Sequence, residues 1–176
     1  MKYRSLLLTL LLVPGPVYAQ LRSTPDLGIA EGRCRSGESG PAFLITVMGL
    51  KDRRGQLRLE LYPPGDDGFL QDDNILVAAG KTFRRVEQTL PKAGPVRLCI
   101  RVPAAGTYTL SILHDRDANR KFGVSTDGIG FPNDPQLGMA KPKASAVRAV
   151  AGTGLTPISI RMNYRKGLFS FGPIGN

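Results

Sequence analysis

The chain has 176 residues and a formal net charge of +10, with 21 glycines, 14 prolines and no tryptophan. Its length fits one domain, and its apolar fraction of 41% argues against a fully disordered chain. Because glycine and proline disfavour helix interiors and supply turns, this composition excludes a protein of long helices and favours short strands.

Residues 1–19 have the pattern of a secretory signal peptide. A basic start precedes an apolar run over 6–13, and small residues then predict cleavage between Ala19 and Gln20. The run is too short to span a bilayer, and no later segment is long and apolar enough to do so. We therefore predict a periplasmic or secreted protein with no transmembrane segment in the mature chain.

Two cysteines, Cys34 and Cys99, remain after that cleavage. In an exported protein they are expected to form a disulfide, and their wide separation is unlike that of a redox Cys-x-x-Cys pair. Cys99 alternates with the apolar residues of a predicted strand over 96–102, so it lies on the arginine-bearing face. The bond should therefore hold an irregular N-terminal arm, residues 20–41, across the outside of the sheet.

The rest of the chain reads as short strands separated by turns. Alternation is clearest where Leu57, Leu59 and Leu61 oppose polar neighbours. Strands without helical crossovers predict an all-β fold, a single antiparallel β-sandwich over 42–165, followed by a tail over 166–176. The eight predicted strands lie near residues 42–48, 57–62, 75–79, 83–88, 96–102, 107–113, 144–151 and 156–164.

A long polar stretch, residues 115–143, holds the candidate site. Asp115, Asp117 and Asn119 alternate directly after a strand, and Asp127 follows, so four oxygen side chains are candidate calcium ligands. The match to an EF-hand loop is partial, and three basic residues nearby oppose a cation. The other interpretation is a turn whose Asx side chains bond their own backbone. Calcium is the only candidate cofactor.

His114 is the single histidine and immediately precedes this stretch. One alternative function is a hydrolase that uses His114 and nearby carboxylates, although the chain has no Gly-x-Ser-x-Gly motif. Another is a basic protein that binds anionic lipid or glycan surfaces. Scattered charge and export argue against nucleic acid. We expect a non-enzymatic binding or envelope-associated module whose partner is an anionic envelope surface or another envelope protein.

Three motifs, in this order and spacing, resemble the bacterial domain-of-unknown-function family numbered 2141. The resemblance covers roughly residues 42–165 and implies an exported, all-β, immunoglobulin- or transthyretin-like sandwich with no established activity. In this chain Arg120 stands where that family usually has glycine, and Pro132 where it usually has serine. The motifs are the opening hairpin over 47–62, the Pro-x-x-Gly-Thr-Tyr turn with its following strand and His-Asp loop over 103–119, and the glycine-aromatic segment 128–133.

Overall fold

A computed structural model describes residues 21–138, 140–168 and 170–174; the predicted signal peptide and its cleavage site lie outside them. The all-β prediction is confirmed, because helical structure is limited to α1 (Ile29–Gly32), α2 (Asp73–Ala78) and one 3-10 turn (Ala144–Val147) in the described residues. None of these helices is long and apolar enough to cross a membrane. The strands are β1 (Ala42–Met48), β2 (Gln56–Tyr62), β3 (Arg84–Thr89), β4 (Val96–Arg101), β5 (Gly106–Asp115), β6 (Gly128–Phe131), β7 (Arg148–Ala151), β8 (Leu155–Arg165) and β9 (Phe171–Gly172).

The strands form one continuous mixed sheet. Its main path runs β3-β2-β5-β6-β8-β1-β4, with β7 paired to β5 and β9 paired to β8. β1 and β8 are parallel, with Ala42 opposite Leu155 and Met48 opposite Arg161. The prediction of a purely antiparallel sandwich is therefore wrong, because alternation reports the buried face of a strand and not the direction of its neighbours. The end strands β3 and β4 approach each other, so the sheet is a nearly closed barrel.

The inside of the barrel holds the main apolar core. Leu57, Leu59 and Leu61 of β2 are fully buried there, as their alternation predicts. Their neighbours Arg58 and Glu60 lie on the outer face of the same strand. The other large members of this core come from β1, β4, β5 and β8, and they include Phe43, Ile45, Leu98, Ile100, Leu110, Ile112, Ile160 and Met162.

α2 replaces the strand predicted over 75–79. Asp73 lies in its first turn, where a carboxylate favours the helix N-terminus, and Gly80 follows its last turn with a φ of 66°. Leu76 anchors the helix in the protein interior. The strand prediction over 75–79 is therefore wrong, because the carboxylate and the glycine at the two ends are helix signals that outweigh weak local strand propensity.

The predicted N-terminal arm closes the gap between β3 and β4. The amide of Arg85 in β3 donates to Gly28 O at 3.0 Å, and Arg33 forms an isolated β-bridge with β4. Cys34 and Cys99 form the predicted disulfide, with their α-carbons 5.9 Å apart. The arm therefore covers the two strand edges that would otherwise be unpaired, and exposed edges are prone to pairing with other chains.

A buried ion-pair network anchors the arm to the barrel. The Arg85 guanidinium donates to Glu60 Oε1 at 2.8 Å, to Asp73 Oδ2 at 2.9 Å and to Thr24 O of the arm at 3.1 Å. Tyr62 donates its hydroxyl to the other Glu60 oxygen at 2.5 Å. Burial, and then the Glu60 carboxylate, raises the pKa of Tyr62 well above 10, so it remains a donor at neutral pH.

A second apolar cluster lies outside the barrel, beneath α2. Tyr62, Phe69, Phe83 and Phe131 meet edge to face, with ring centroids 5.5–5.8 Å apart. Partly buried apolar side chains extend this cluster toward the surface, among them Phe171 of β9. The predicted tail therefore contributes a short strand that packs, and the predicted polar stretch contributes β6.

Candidate functional site

Asp115 ends β5 and is completely buried at the start of the Asp-rich loop. Its Oδ1 accepts from the amide of Asn119 at 3.1 Å, and its Oδ2 accepts from the amide of Arg120 at 2.8 Å and from Gln56 Nε2 at 3.1 Å. A carboxylate that collects backbone donors in this way fixes the course of the loop. Asp115 therefore holds the backbone of residues 116–120 in place through these hydrogen bonds.

Asp117 and Asn119 form an exposed Asx turn. Asp117 Oδ1 accepts from the Asn119 amide at 3.2 Å, and its Oδ2 accepts from Asn119 Nδ2 at 2.8 Å. Asn119 Oδ1 in turn accepts from the amide of Lys121 at 2.7 Å. The alternation seen in the sequence thus produces a chain of side chain to backbone hydrogen bonds, which is the second of the two interpretations.

Asp127 closes the loop from its far end and is buried. Its Oδ1 accepts from the amide of Arg116 at 2.9 Å, and its Oδ2 accepts from the amide of Gly123 at 2.7 Å. The amide of Asp127 also donates to Gly123 O at 2.9 Å. Because Gly123 lies between Phe122 and Val124, Asp127 fixes the backbone that carries both apolar residues.

The fold brings the three predicted carboxylates together. One oxygen each of Asp115, Asp117 and Asp127 lies within 4.8 Å of the others. Calcium requires six to eight oxygen ligands, and these oxygens already accept hydrogen bonds from the loop. The cluster can attract a cation, and the loop also has a complete hydrogen-bonding arrangement of its own.

The arginines of the loop neutralise other acids. Arg116 donates through Nε to Asp52 Oδ2 at 3.0 Å and through Nη1 to Thr126 O at 2.7 Å. The hydrogen bond from Arg116 lowers the pKa of Asp52 below its usual value. Arg120 pairs with Glu87 at 3.2 Å. The expectation that these side chains oppose a cation overlooked these partners, which come from distant parts of the chain.

Arg120 has a left-handed backbone, with a φ of 63°. Residues with a β-carbon rarely adopt this conformation, whereas glycine adopts it readily. This geometry explains why a glycine is usual at this position in the family that the sequence resembles. The backbone hydrogen bond from Arg120 to Asp115 holds the residue in this conformation.

His114 is fully buried and belongs to a hydrogen-bonded chain. Its Nε2 lies 2.9 Å from Arg54 O, and its Nδ1 lies 2.6 Å from the hydroxyl of Tyr164, which accepts from the amide of Lys51 at 3.0 Å. A carbonyl oxygen can only accept, so Nε2 carries the proton and Nδ1 accepts from Tyr164. The hydrolase alternative needs a ring nitrogen of His114 that can reach a substrate, and protein groups hydrogen-bond to both ring nitrogens.

Gly128 makes room for Tyr164, the partner that sequence reasoning missed. A β-carbon on Gly128 would lie 2.3 Å from Tyr164 Cε1, so the ring packs directly on the backbone of β6. Burial raises the pKa of Tyr164 to about 12, which keeps its hydroxyl protonated. The glycine in the glycine-aromatic segment was the available signal, because an isolated strand glycine often marks such close packing.

We expect His114 to make stability depend on pH. Burial lowers its pKa below 6.5, so the unfolded chain takes up a proton at a higher pH than the folded chain. The stability that the neutral imidazole contributes is complete above pH 6.5, the pKa of the unfolded chain, and is lost as pH falls from there through the lower pKa of the folded chain. As pH decreases over this range, the free energy of unfolding should decrease by at most about 1.4 kcal/mol per pH unit.

Urea unfolding of the wild type and His114→Gln between pH 5.5 and 7.5 measures this slope. His114 is the single histidine, so the variant should lose the slope as well as some stability. An identical slope in both proteins would show that another group is responsible.

An apolar cleft of about 220 Å³ opens beside the Asp-rich loop. Phe122 and Val124 of the loop form one wall, and they are 42% and 38% exposed. Ile129 of β6 and Phe171 of β9 also line the cleft, where the second apolar cluster reaches the surface. Phe122 and Phe171 have ring centroids 6.0 Å apart. Sequence reasoning missed this cleft, although an aromatic residue in a polar loop was a signal.

Comparison with known proteins yields one family. The model of a family described as an uncharacterized protein conserved in bacteria, DUF2141, matches residues 45–158. No curated protein and no solved structure matches the chain. The matched range includes the end of β1, the strands from β2 to β7, the start of β8 and the whole Asp-rich loop.

Proposed function

Because this chain belongs to the uncharacterized bacterial family DUF2141, we propose its function from its own geometry. It is a non-enzymatic module that is exported to the periplasm or secreted. It binds an apolar ligand in the cleft beside the Asp-rich loop. The cleft is the observation that carries the proposal. Concave, mostly apolar pockets with few polar groups are the usual form of small-ligand sites. The leader-like sequence of residues 1–19 and the disulfide support the compartment.

The hydrogen bonds of the Asp-rich loop support a binding role because they fix a loop whose apolar side chains, Phe122 and Val124, are partly exposed. Adjoining exposed apolar side chains often mark a surface that contacts a ligand or partner. Asp127 fixes the turn at Gly123, and Arg165 at the end of β8 donates to Ser125 Oγ at 3.0 Å. Phe122 and Val124 are therefore presented by a braced loop, which lowers the entropy lost on binding.

Fluorescence of the uncharged dye Nile red tests the proposal. The chain that starts at Gln20 should enhance the dye's emission, and Val124→Asn should weaken dye binding by about tenfold because it makes the cleft wall polar. Val150→Asn is the matched control, since Val150 is a 68% exposed valine of β7 that does not line the cleft. Equal binding by wild type and Val124→Asn would contradict the proposal.

A calcium-ordered loop is the second candidate, and the approach of three carboxylates within 4.8 Å favours it. In this proposal Asp115, Asp117, Asn119 and Asp127 supply protein oxygens, and calcium ties the loop that carries Phe122. Extracellular calcium modules bind with dissociation constants of about 10⁻⁴–10⁻³ M. At ten times such a constant, calcium should stabilise the folded chain by about 1.4 kcal/mol.

Thermal unfolding in about 10 mM calcium, magnesium or chelator measures this effect. Asp117→Asn is the matched variant, because Asp117 is exposed and its loss of charge leaves the buried carboxylates in place. The midpoint of the wild type should rise with calcium alone, and that of the variant should not. A midpoint that is the same in calcium and chelator would reject the calcium site and leave the cleft proposal intact.

A further inference from the structure

The cleft has a positively charged side chain in its lining and no negatively charged one among the described residues. Among the described side chains that line the cleft, Lys141 is the charged one, and none is acidic. In the described part of the chain Lys141 forms no ion pair with a carboxylate. The Lys141 ammonium group therefore lies beside an apolar surface with no carboxylate paired to it.

A hydrogen bond holds the Lys141 side chain in place and leaves some of its N–H donors without a protein acceptor. Its Nζ donates to Phe69 O at 3.2 Å, and Phe69 belongs to the apolar cluster behind the cleft. An ammonium group has three hydrogens, so two remain for a ligand. The carbonyl of Phe69 is neutral and does not cancel the charge. This arrangement offers an anionic group a charge-assisted hydrogen bond at the edge of an apolar cavity.

The size of the cavity favours a narrow apolar group. A dry apolar cavity of about 150 Å³ is sufficient to bind benzene. The cleft, at about 220 Å³, is larger and open at one side, so an alkyl chain can enter while its polar end remains at the surface. Each methylene group transferred from water into such a site should strengthen binding by about fourfold, which makes chain length a determinant of affinity.

We infer that the cleft binds the alkyl chain of a single-chain anionic amphiphile of the fatty-acid class, with its carboxylate at Lys141. This inference rests on the proposed function, because it names the ligand class for the same cleft. The chain packs against Phe122, Val124 and Phe171, and the carboxylate accepts from the two free hydrogens of the Lys141 ammonium.

Displacement of Nile red by dodecanoate and by dodecyltrimethylammonium tests the inference. Both probes have a twelve-carbon chain, counted with the carboxylate carbon of dodecanoate, and opposite charge, and both are used below their micelle concentrations. Dodecanoate should bind at least about tenfold more tightly than the cation. Lys141→Gln should remove most of this preference, whereas Lys141→Arg should retain it. Lys143→Gln is the matched control, because Lys143 is exposed nearby and does not line the cleft.

The outcomes separate the two proposals. If Nile red binds and the two probes displace it equally, the inference is overturned and the proposed function stands. If Nile red does not bind, both fail. If the protein sediments with phosphatidylglycerol vesicles while dodecanoate fails to displace the dye, the lysines serve a membrane surface and the inference is overturned. Equal preference in Lys141→Gln and Lys143→Gln would also overturn it.

Discussion

Arg85→Leu is expected to lower the free energy of unfolding by about 3–5 kcal/mol, because removal of one partner leaves buried charges without compensation. Glu60 and Asp73 both face the Arg85 guanidinium, and all three side chains are at most 12% exposed. The variant also loses the hydrogen bond to Thr24 O, which holds the arm. Urea unfolding followed by circular dichroism measures the loss.

Arg97→Leu is the matched control for this prediction. Arg97 is an exposed arginine on β4, and its loss should change stability by no more than about 0.5 kcal/mol. A second variant that replaces Arg85, Glu60 and Asp73 together with apolar residues should recover much of the loss, since the charges leave as a set. A loss in Arg85→Leu no larger than in Arg97→Leu would show that the network is not important for stability.

Replacement of both Cys34 and Cys99 by serine is expected to lower the free energy of unfolding by about 4 kcal/mol. The disulfide closes a separation of 65 residues, and the chain-entropy model gives this magnitude for a loop of that length. Because the bond joins the arm to β4, hydrogen exchange should increase most at the seam between β3 and β4.

Reduction of the wild type under native conditions is the companion measurement. It should reproduce the instability of the double serine variant, and the reductant should have no effect on that variant, which has no other cysteine. Unchanged stability in the double variant would mean that the arm is held by the Arg85 network and the β-bridge alone. Faster exchange spread evenly over all strands would contradict a local role at the seam.

Much of the strand pattern could be predicted from local alternation. The leucines of β2 and the apolar residues of β4 lie in the core as their period of two requires. Cys99 lies on the outer face for the same reason, and the pairing with Cys34 followed from the compartment. α2 could have been predicted as well, because Asp73 and Gly80 are helix-end signals that the sequence displays.

The candidate site was predicted only in part. The spacing of Asp115, Asp117 and Asn119 located the loop, and the hydrogen bonds that these side chains make within it are local. The partners of Arg116 and His114 come from the β1–β2 turn and from β8, which are far away in the chain. Such contacts have no local signature, so both side chains had to be placed by the fold.

The order of apolar and polar residues determined the buried face of most strands, the turns between them and the place of the Asp-rich loop. These properties depend on neighbours two to five residues apart, which a sequence displays directly. The parallel pairing of β1 with β8, the closure of the barrel by the arm and the cleft were decided by tertiary structure alone. Phe122, Phe131 and Phe171 line one cavity because β6, β8 and β9 align, and packing between distant segments, which no local period encodes, determines that alignment.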